Sequence, residues 1–104
     1  MKLQIQALSD KIGTSIPYPY YATAGAAAID LHACLDEAAV VPAGGQALIP
    51  TGIAIVIPEG YVGILAVRGG MGIRRGITLS NGIGVIDCDY RGPLHVGLYN
   101  LRDE

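Results

Sequence analysis

An all-β fold, a sandwich or barrel of short strands, is what this sequence predicts, and three observations carry it. Apolar residues recur with a period close to two, and no window shows a convincing 3.6-residue period. The 104 residues include 15 Gly and 6 Pro, which interrupt the apolar runs and mark turns. Short alternating runs at regular spacing, bounded by such breakers, are the pattern of a sandwich or barrel rather than of alternating strands and helices.

The elements follow in chain order. KLQIQAL, residues 2–8, alternates polar and apolar as a half-buried strand does. IPYPYYATAGAAA, residues 16–28, is a Pro- and Gly-broken loop in which Tyr18, Tyr20 and Tyr21 pack the loop itself. IDLHACL, residues 29–35, reads as a second strand, with Ile29, Leu31, Ala33 and Leu35 on one face and Asp30, His32 and Cys34 on the other. Residues 40–70 read as strand, turn, strand, turn, strand, each break marked by Pro or Gly. Residues 77–100 give a short strand and then a hairpin whose tip lies near Asp89-Tyr90-Arg91-Gly92. His32, on a polar strand face, and His95, on a hairpin arm, read as ordinary surface or rim histidines without the company that metal ligation needs. There is no internal repeat and no linker, so residues 1–104 form one domain.

Composition narrows the function classes. A chain of this length buries about 60–65% of its unfolded surface and folds without staples. Phe and Trp are absent although 51% of residues are hydrophobic, so the core is built from Ile, Val, Leu and Ala with Tyr at its margins. A net charge of −2 argues against nucleic-acid or membrane-surface binding. Cys34 and Cys88 have no CxxC spacing, which points to free thiols in a reducing compartment rather than a disulfide framework. With no signal-like apolar run and no stretch long enough to span a membrane, the expected location is the cytoplasm.

Three clusters break the alternation. AGAAAIDLHA, residues 24–33, sets small residues, which permit close backbone approach, before the carboxylate of Asp30. RGGMGIRRG, residues 68–76, places three arginines among four glycines. Exposed backbone N–H groups beside fixed positive charge suit a phosphate chain, and a solvated turn with surface arginines fits the same composition. In the third cluster, GVIDCDYRG at residues 84–92, two carboxylates and a phenol crowd a turn. Either a reactive site or a turn kept soluble by surface Asp residues accounts for it.

Taken together and in this order, the clusters resemble the trimeric dUTPase family, from near residue 1 to near residue 100. Residues 24–33 look like a stretched form of the family's A-G-x-D-L-x-A element, and PTGIAIVIPEGY resembles the segment after it. RGGMG resembles R-S-G-L/M-x, and GIGVIDCDYRG resembles G-x-I-D-x-D-Y-x-G, the most specific of the matches. The related dCTP deaminases share the fold without the Asp-x-Asp-Tyr run in this form.

The resemblance implies a dUTPase-like β-sandwich or jelly-roll and the reaction dUTP + water → dUMP + pyrophosphate. It implies Mg²⁺ carried mainly by the substrate phosphates. It makes Asp87 the general base that activates the attacking water, Tyr90 the ring against the deoxyribose, and Asn81 with the backbone of residues 82–86, Gly84 and Ile86 among them, the readers of uracil. Arg68 and the amides of Gly69 and Gly70 would hold phosphates, and Asp30 would meet the metal through water. Asp89 would buttress the hairpin, and Arg74 and Arg75 would be solvated or at a subunit contact. The implied assembly is a homotrimer with sites between subunits.

Two departures stand out. Gly69 occupies the position of a phosphate-contacting serine, a lost donor worth on the order of a hundredfold in rate. The sequence ends at NLRDE, before the family's G-x-R-I-A-Q element and its Gly-rich C-terminal lid. Three functions therefore stay open at the level of sequence: a dUTP diphosphatase, a weakly active or inactive nucleotide binder of the same fold, and a β-sandwich interaction protein.

Overall fold

The computed structural model describes residues 3–102. Lys2, which begins the first predicted strand, and Asp103 and Glu104 of the terminal NLRDE lie outside the described residues. Seven short strands follow one another: β1 (Gln4–Ala7), β2 (Gln46–Pro50), β3 (Ile53–Val56), β4 (Gly63–Leu65), β5 (Ile77–Leu79), β6 (Gly84–Ile86) and β7 (His95–Asn100). A single π-helical turn, Gly70–Arg74, interrupts them between β4 and β5. Every strand pairing is antiparallel, and the described strands form three small sheets with orders β1-β3, β2-β7-β5 and β4-β6.

The pattern of each strand explains its place. In β1, Gln4 and Gln6 face outward while Ile5 and Ala7 turn inward opposite Ile55 and Ile53 of β3. β3 is the deepest strand, and Ile53, at 1% exposure, is its best-covered side chain. Around it Ile12, Ile55, Ile57 and Leu94 make the central cluster, with Leu31, Cys34, Ile86 and Cys88 packed against it. The core is thus aliphatic, as a chain without Phe or Trp requires. β2 ends at Pro50, and the chain reverses at Gly52, whose φ of +75° and missing Cβ let Cys34 Sγ sit where that atom would be.

Two buried polar side chains pin the connections. The Thr51 amide and hydroxyl both donate to the Leu94 carbonyl, at 3.0 and 2.8 Å, and the Leu94 amide donates to Ile53 at 3.0 Å. This fastens the segment before β7 onto the β2–β3 corner. The Asn100 side-chain amide donates to the Val41 carbonyl at 3.0 Å, tying the 41–45 loop to the end of β7.

Two sequence expectations are corrected. Residues 29–35 do not form a strand: Asp30 makes only an isolated bridge to Tyr20, and the Cys34 amide donates to the Pro50 carbonyl instead of to a ladder. The expected two-faced pattern is lost with it, since Ile29, Asp30, Leu31 and His32 are all half-buried. Small residues upstream provide no partner strand, so this stretch packs as irregular chain. His32 is accordingly no free surface histidine; it stacks on Tyr20 with ring centroids 6.1 Å apart, and its Nδ1 is buried without a hydrogen-bond partner.

The predicted hairpin across residues 84–100 is also absent. β6 pairs with β4, whereas β7 lies between β2 and β5. Asp89–Gly92 is therefore a corner between two sheets rather than a hairpin tip. Ile86 and Leu94, on either side of the corner, both reach the central cluster, and that burial directs the chain from one sheet to the other.

Candidate functional site

The register of β4 against β6 divides the predicted site residues into two groups. Leu65 pairs with Gly84 at one end of this ladder, and Gly63 pairs with Ile86 at the other. Arg68 comes three residues after Leu65 and Asn81 three before Gly84, so both leave from the same end. Asp87 follows Ile86 directly and leaves from the opposite end, with Tyr90 on the turn beyond it.

The first group joins the two early clusters. Arg68 Nη1 lies 3.7 Å from a carboxylate oxygen of Asp30, whose side chain is 21% exposed against 74% for the arginine. At that distance the contact is electrostatic rather than a hydrogen bond, and so exposed a guanidinium is held weakly. The charge stays available to an anion. The Arg68 carbonyl accepts the amides of Met71 and Gly72, both at 3.1 Å, and so opens the π-helical turn. The leading N–H groups of a helix have no acceptor inside it, which leaves those of Gly69 and Gly70 beside Arg68. No atom lies within 4 Å of where a Cβ would stand on either glycine, so their backbone is open to an approaching ligand. Arg74 and Arg75, at the far end of the turn, are exposed.

β6 itself runs from the Asn81 end of the ladder to the Asp87 end. Its sheet has two strands, so among the described residues β6 has a strand neighbour on one edge only. The other edge presents main-chain donors and acceptors of the kind that read a base. At its start lies a depression of about 270 Å³ lined by Asn81, Gly84, Ser80, Leu48, Leu65 and His95 among others. Asn81 is exposed on the 79–82 turn, which closes through Gly82 N–H to the Leu79 carbonyl at 3.0 Å. Ile86 gives its side chain to the core, so its main chain is what it can offer a ligand. His95 and Ser80 are the residues sequence reasoning missed here. Ser80 adjoins Asn81 in the chain, whereas only the pairing of β5 with β7 brings His95 to it, and no local spacing signals that.

Past β6 the chain turns at Asp87, whose carbonyl accepts the Tyr90 amide at 3.1 Å. The Asp87 side chain is exposed. Tyr90 curls back along the turn, its hydroxyl donating to the Pro93 carbonyl at 2.8 Å. Arg91 Nη1 donates to the carbonyls of Cys88, at 2.7 Å, and Tyr90, at 3.2 Å. Among the described residues the Asp89 carboxylate makes no such bond, so the buttress expected of Asp89 falls to Arg91.

Two further points bear on chemistry. A larger cleft of about 550 Å³, around the Lys11–Asp36 ion pair and Leu8, Pro50 and Pro93, contains none of the predicted site residues. The chemically furnished surface is the smaller one. No group of three or more His, Cys, Asp or Glu side chains could hold a metal ion among the described residues. Asp30 alone can therefore meet a divalent cation only as one ligand among several supplied from elsewhere, which suits an ion already carried by phosphates.

Comparison with known proteins bears on the fold and the family. The family model described as dUTPase matches residues 14–104. Deoxyuridine 5'-triphosphate nucleotidohydrolase of Acinetobacter baumannii is 45% identical over 101 residues, covering 96% of this chain and 67% of that protein. The Erwinia tasmaniensis protein of the same name is 43% identical over 100 residues, covering 95% and 66%. Among solved structures, the dUTPase of Staphylococcus aureus phage phi11, described with a structural Mg(II) ion, superposes with a TM-score of 0.82 at 30% identity, covering 97% of this chain and 61% of that one. The dUTPase of Staphylococcus phage 80alpha does so with a TM-score of 0.82 at 30% identity, covering 97% and 60%. The chain thus spans about two thirds of the length of its curated relatives.

Proposed function

Since the chain belongs to the dUTPase family, we propose that it hydrolyses dUTP to dUMP and pyrophosphate in sites assembled between copies of itself. The observation that carries this reading is the β6 segment and its turn: an unpaired strand edge beside Asn81, followed at once by an exposed carboxylate and an anchored tyrosine ring.

The residues divide the work by chemistry. Asn81 and the free edge of β6 take the uracil edge, and close main chain there leaves no room for the methyl of thymine. The Tyr90 ring, 45% exposed and tied at its hydroxyl, lies flat against deoxyribose where a 2′-hydroxyl would collide. Asp87 accepts a proton from the water that attacks the α-phosphorus, and the bond from that phosphorus to the bridging oxygen breaks toward pyrophosphate. Arg68 with the Gly69 and Gly70 amides holds the outer phosphates as charge shifts onto the leaving group. Asp30, through water, would help hold a Mg²⁺ ion carried by the substrate, and the ion would supply charge neutralisation there.

In the proposed site, Asp87 and Arg68, which leave opposite ends of β4-β6, serve one substrate from two chains. The surface argues for association as well. It measures 7073 Å², about 1,500 Å² more than a folded monomer of this length is expected to expose. On the outer face of β4-β6, Ile64 and Val85 sit directly opposite each other at 59% and 60% exposure. A threefold homotrimer buries such faces three times over with one interface. Both cysteines are free thiols, which supports a cytoplasmic setting.

The test is pyrophosphate release from dUTP, dTTP, dCTP and UTP, with calorimetric binding of a non-hydrolysable dUTP analogue and light scattering at low micromolar protein. Release confined to dUTP by a trimer is the expected result. Binding without release assigns a nucleotide binder instead, and the absence of both binding and release overturns the reading.

A further inference from the structure

Tyr90 is held from below. An ideal Cβ placed on Gly92 would stand 2.6 Å from the Tyr90 hydroxyl oxygen, 2.8 Å from Cζ and 3.2 Å from Cε1. The ring therefore rests on the bare α-carbon of Gly92, closer than any side chain there would allow. At its tip the hydroxyl donates to the next carbonyl, that of Pro93. Pro93 is itself immobilised, because the following residue, Leu94, is buried and bonded through both its amide and its carbonyl to the β2–β3 corner. The segment beneath the ring is thus joined to the core, while almost half of the Tyr90 surface remains open to solvent.

We propose that Gly92 and the Pro93 carbonyl are positioning elements for sugar selectivity: together they set the height of the Tyr90 ring, and so the depth of the space left for the sugar. The inference rests on the reading of Tyr90 given above and extends it to residues that touch no substrate. A methyl on Gly92 needs the ring to withdraw by roughly 1 Å to reach ordinary van der Waals contact, and because the segment beneath is anchored to the core it is the ring that moves, into the space the proposed function gives the sugar. Misplacement on that scale at a substrate-positioning group costs about tenfold to a hundredfold in rate. Loss of the hydroxyl anchor leaves the ring seated but free to swing, a smaller effect on rate that falls mainly on the distinction between deoxyribose and ribose.

The experiment is a double-mutant cycle on the full chain. kcat and KM are measured for dUTP and UTP with the parent, Gly92→Ala, Tyr90→Ala and the double variant, together with Tyr90→Phe. In the presence of Tyr90, Gly92→Ala should lower kcat/KM for dUTP about tenfold to a hundredfold and reduce the dUTP/UTP ratio. In the Tyr90→Ala background the same methyl should change either value less than about twofold, since there is no ring to lift. Tyr90→Phe should lower the dUTP/UTP ratio several-fold, and it carries the test on its own if Gly92→Ala does not fold. An unaltered ratio in a folded Gly92→Ala or in Tyr90→Phe overturns the proposal, as does a Gly92→Ala loss that persists in full without Tyr90. A parent that neither binds nor hydrolyses dUTP removes the underlying function too, an outcome distinct from a working parent with an indifferent Gly92.

Discussion

Restoring the hydroxyl that Gly69 lacks is the sharpest test of the phosphate site. Gly69 sits at the mouth of the π-helical turn with φ −55° and ψ −39°, the right-handed region that any L-residue adopts. Nothing lies within 4 Å of its ideal Cβ. A Gly69→Ser change is thus free of both backbone strain and collision. Its new hydroxyl would stand beside Arg68 and the Gly70 amide. Removing glycine at a compatible position lowers the entropy of the unfolded chain, so Gly69→Ala and Gly69→Ser should each raise stability by about 0.4–1 kcal/mol. Serine alone adds a donor. One donor to developing charge is worth about 2.7–4 kcal/mol in an enclosed site, and this one is exposed, so a gain of about tenfold to a hundredfold in kcat is the expected size. The assay is steady-state pyrophosphate release from dUTP by the parent, Gly69→Ala and Gly69→Ser, with thermal unfolding alongside. A gain in kcat places the hydroxyl on the transition state, and a fall in KM alone places it on the bound phosphates. Equal kinetics for serine and alanine would refute the reasoning, because the added oxygen would then touch nothing that reacts.

Three other outcomes follow from the same geometry. Asp87→Asn should abolish most turnover, about a hundredfold or more, while calorimetry with a non-hydrolysable dUTP analogue shows binding nearly intact, since the amide keeps the shape and loses the proton acceptor; turnover within a few-fold of the parent sinks the assignment. Tyr90→Ala should bring the kcat/KM values for dUTP and UTP together, and an unchanged ratio would make the ring mere packing. Ile64→Lys combined with Val85→Glu should dissociate the proposed trimer at low micromolar concentration by light scattering. The opposed charges keep the β4-β6 pair compatible within one chain, while about 1–2 kcal/mol of burial is lost at each position of each subunit; a variant that retains the parent's mass shows that this face is not the contact.

What the sequence revealed and what it concealed divide along physical lines. The strand at Gln4–Ala7 was legible because it has one wet and one dry face, so that alternation reports burial directly, and the one at Gln46–Pro50 because Gly and Pro bound it. The π-helical turn was not, because five residues are too few to show a period and the glycines gave no reason to expect any helix. IDLHACL alternates as well as any strand in the chain, yet its neighbours are irregular segments, and alternation without a partner makes no sheet. The corner at Asp87–Pro93 was read as a hairpin because a turn between two apolar runs looks the same whether the runs pair with each other or with strands elsewhere. Asp30, Arg68, Asn81, Asp87 and Tyr90 stand out in the sequence through their motifs. Their partition between the two ends of one ladder does not, since register is a property of the folded sheet. His95 shows the limit in a single residue: it joins Asn81 only through strands paired across some twenty residues of chain.

The exposed apolar face of β4-β6 and the open edge of β6 call for different partners. A third strand added beside β6 would satisfy the hydrogen-bonding groups of that edge and stabilise the sheet, but it would occupy the groups that a base needs. A neighbouring subunit laid against the face of β4-β6 covers Ile64 and Val85 without touching the edge, because face and edge of a sheet lie at right angles. Burial on the face can therefore offset the cost of an unpaired edge while the edge remains free for uracil. In the proposed assembly the neighbour that brings this burial also brings a second copy of Asp30 and Arg68, Arg68 being at the other end of the ladder from Asp87. On this reading assembly and chemistry are coupled through one two-stranded sheet, too small to stand alone and open on the side where the substrate enters.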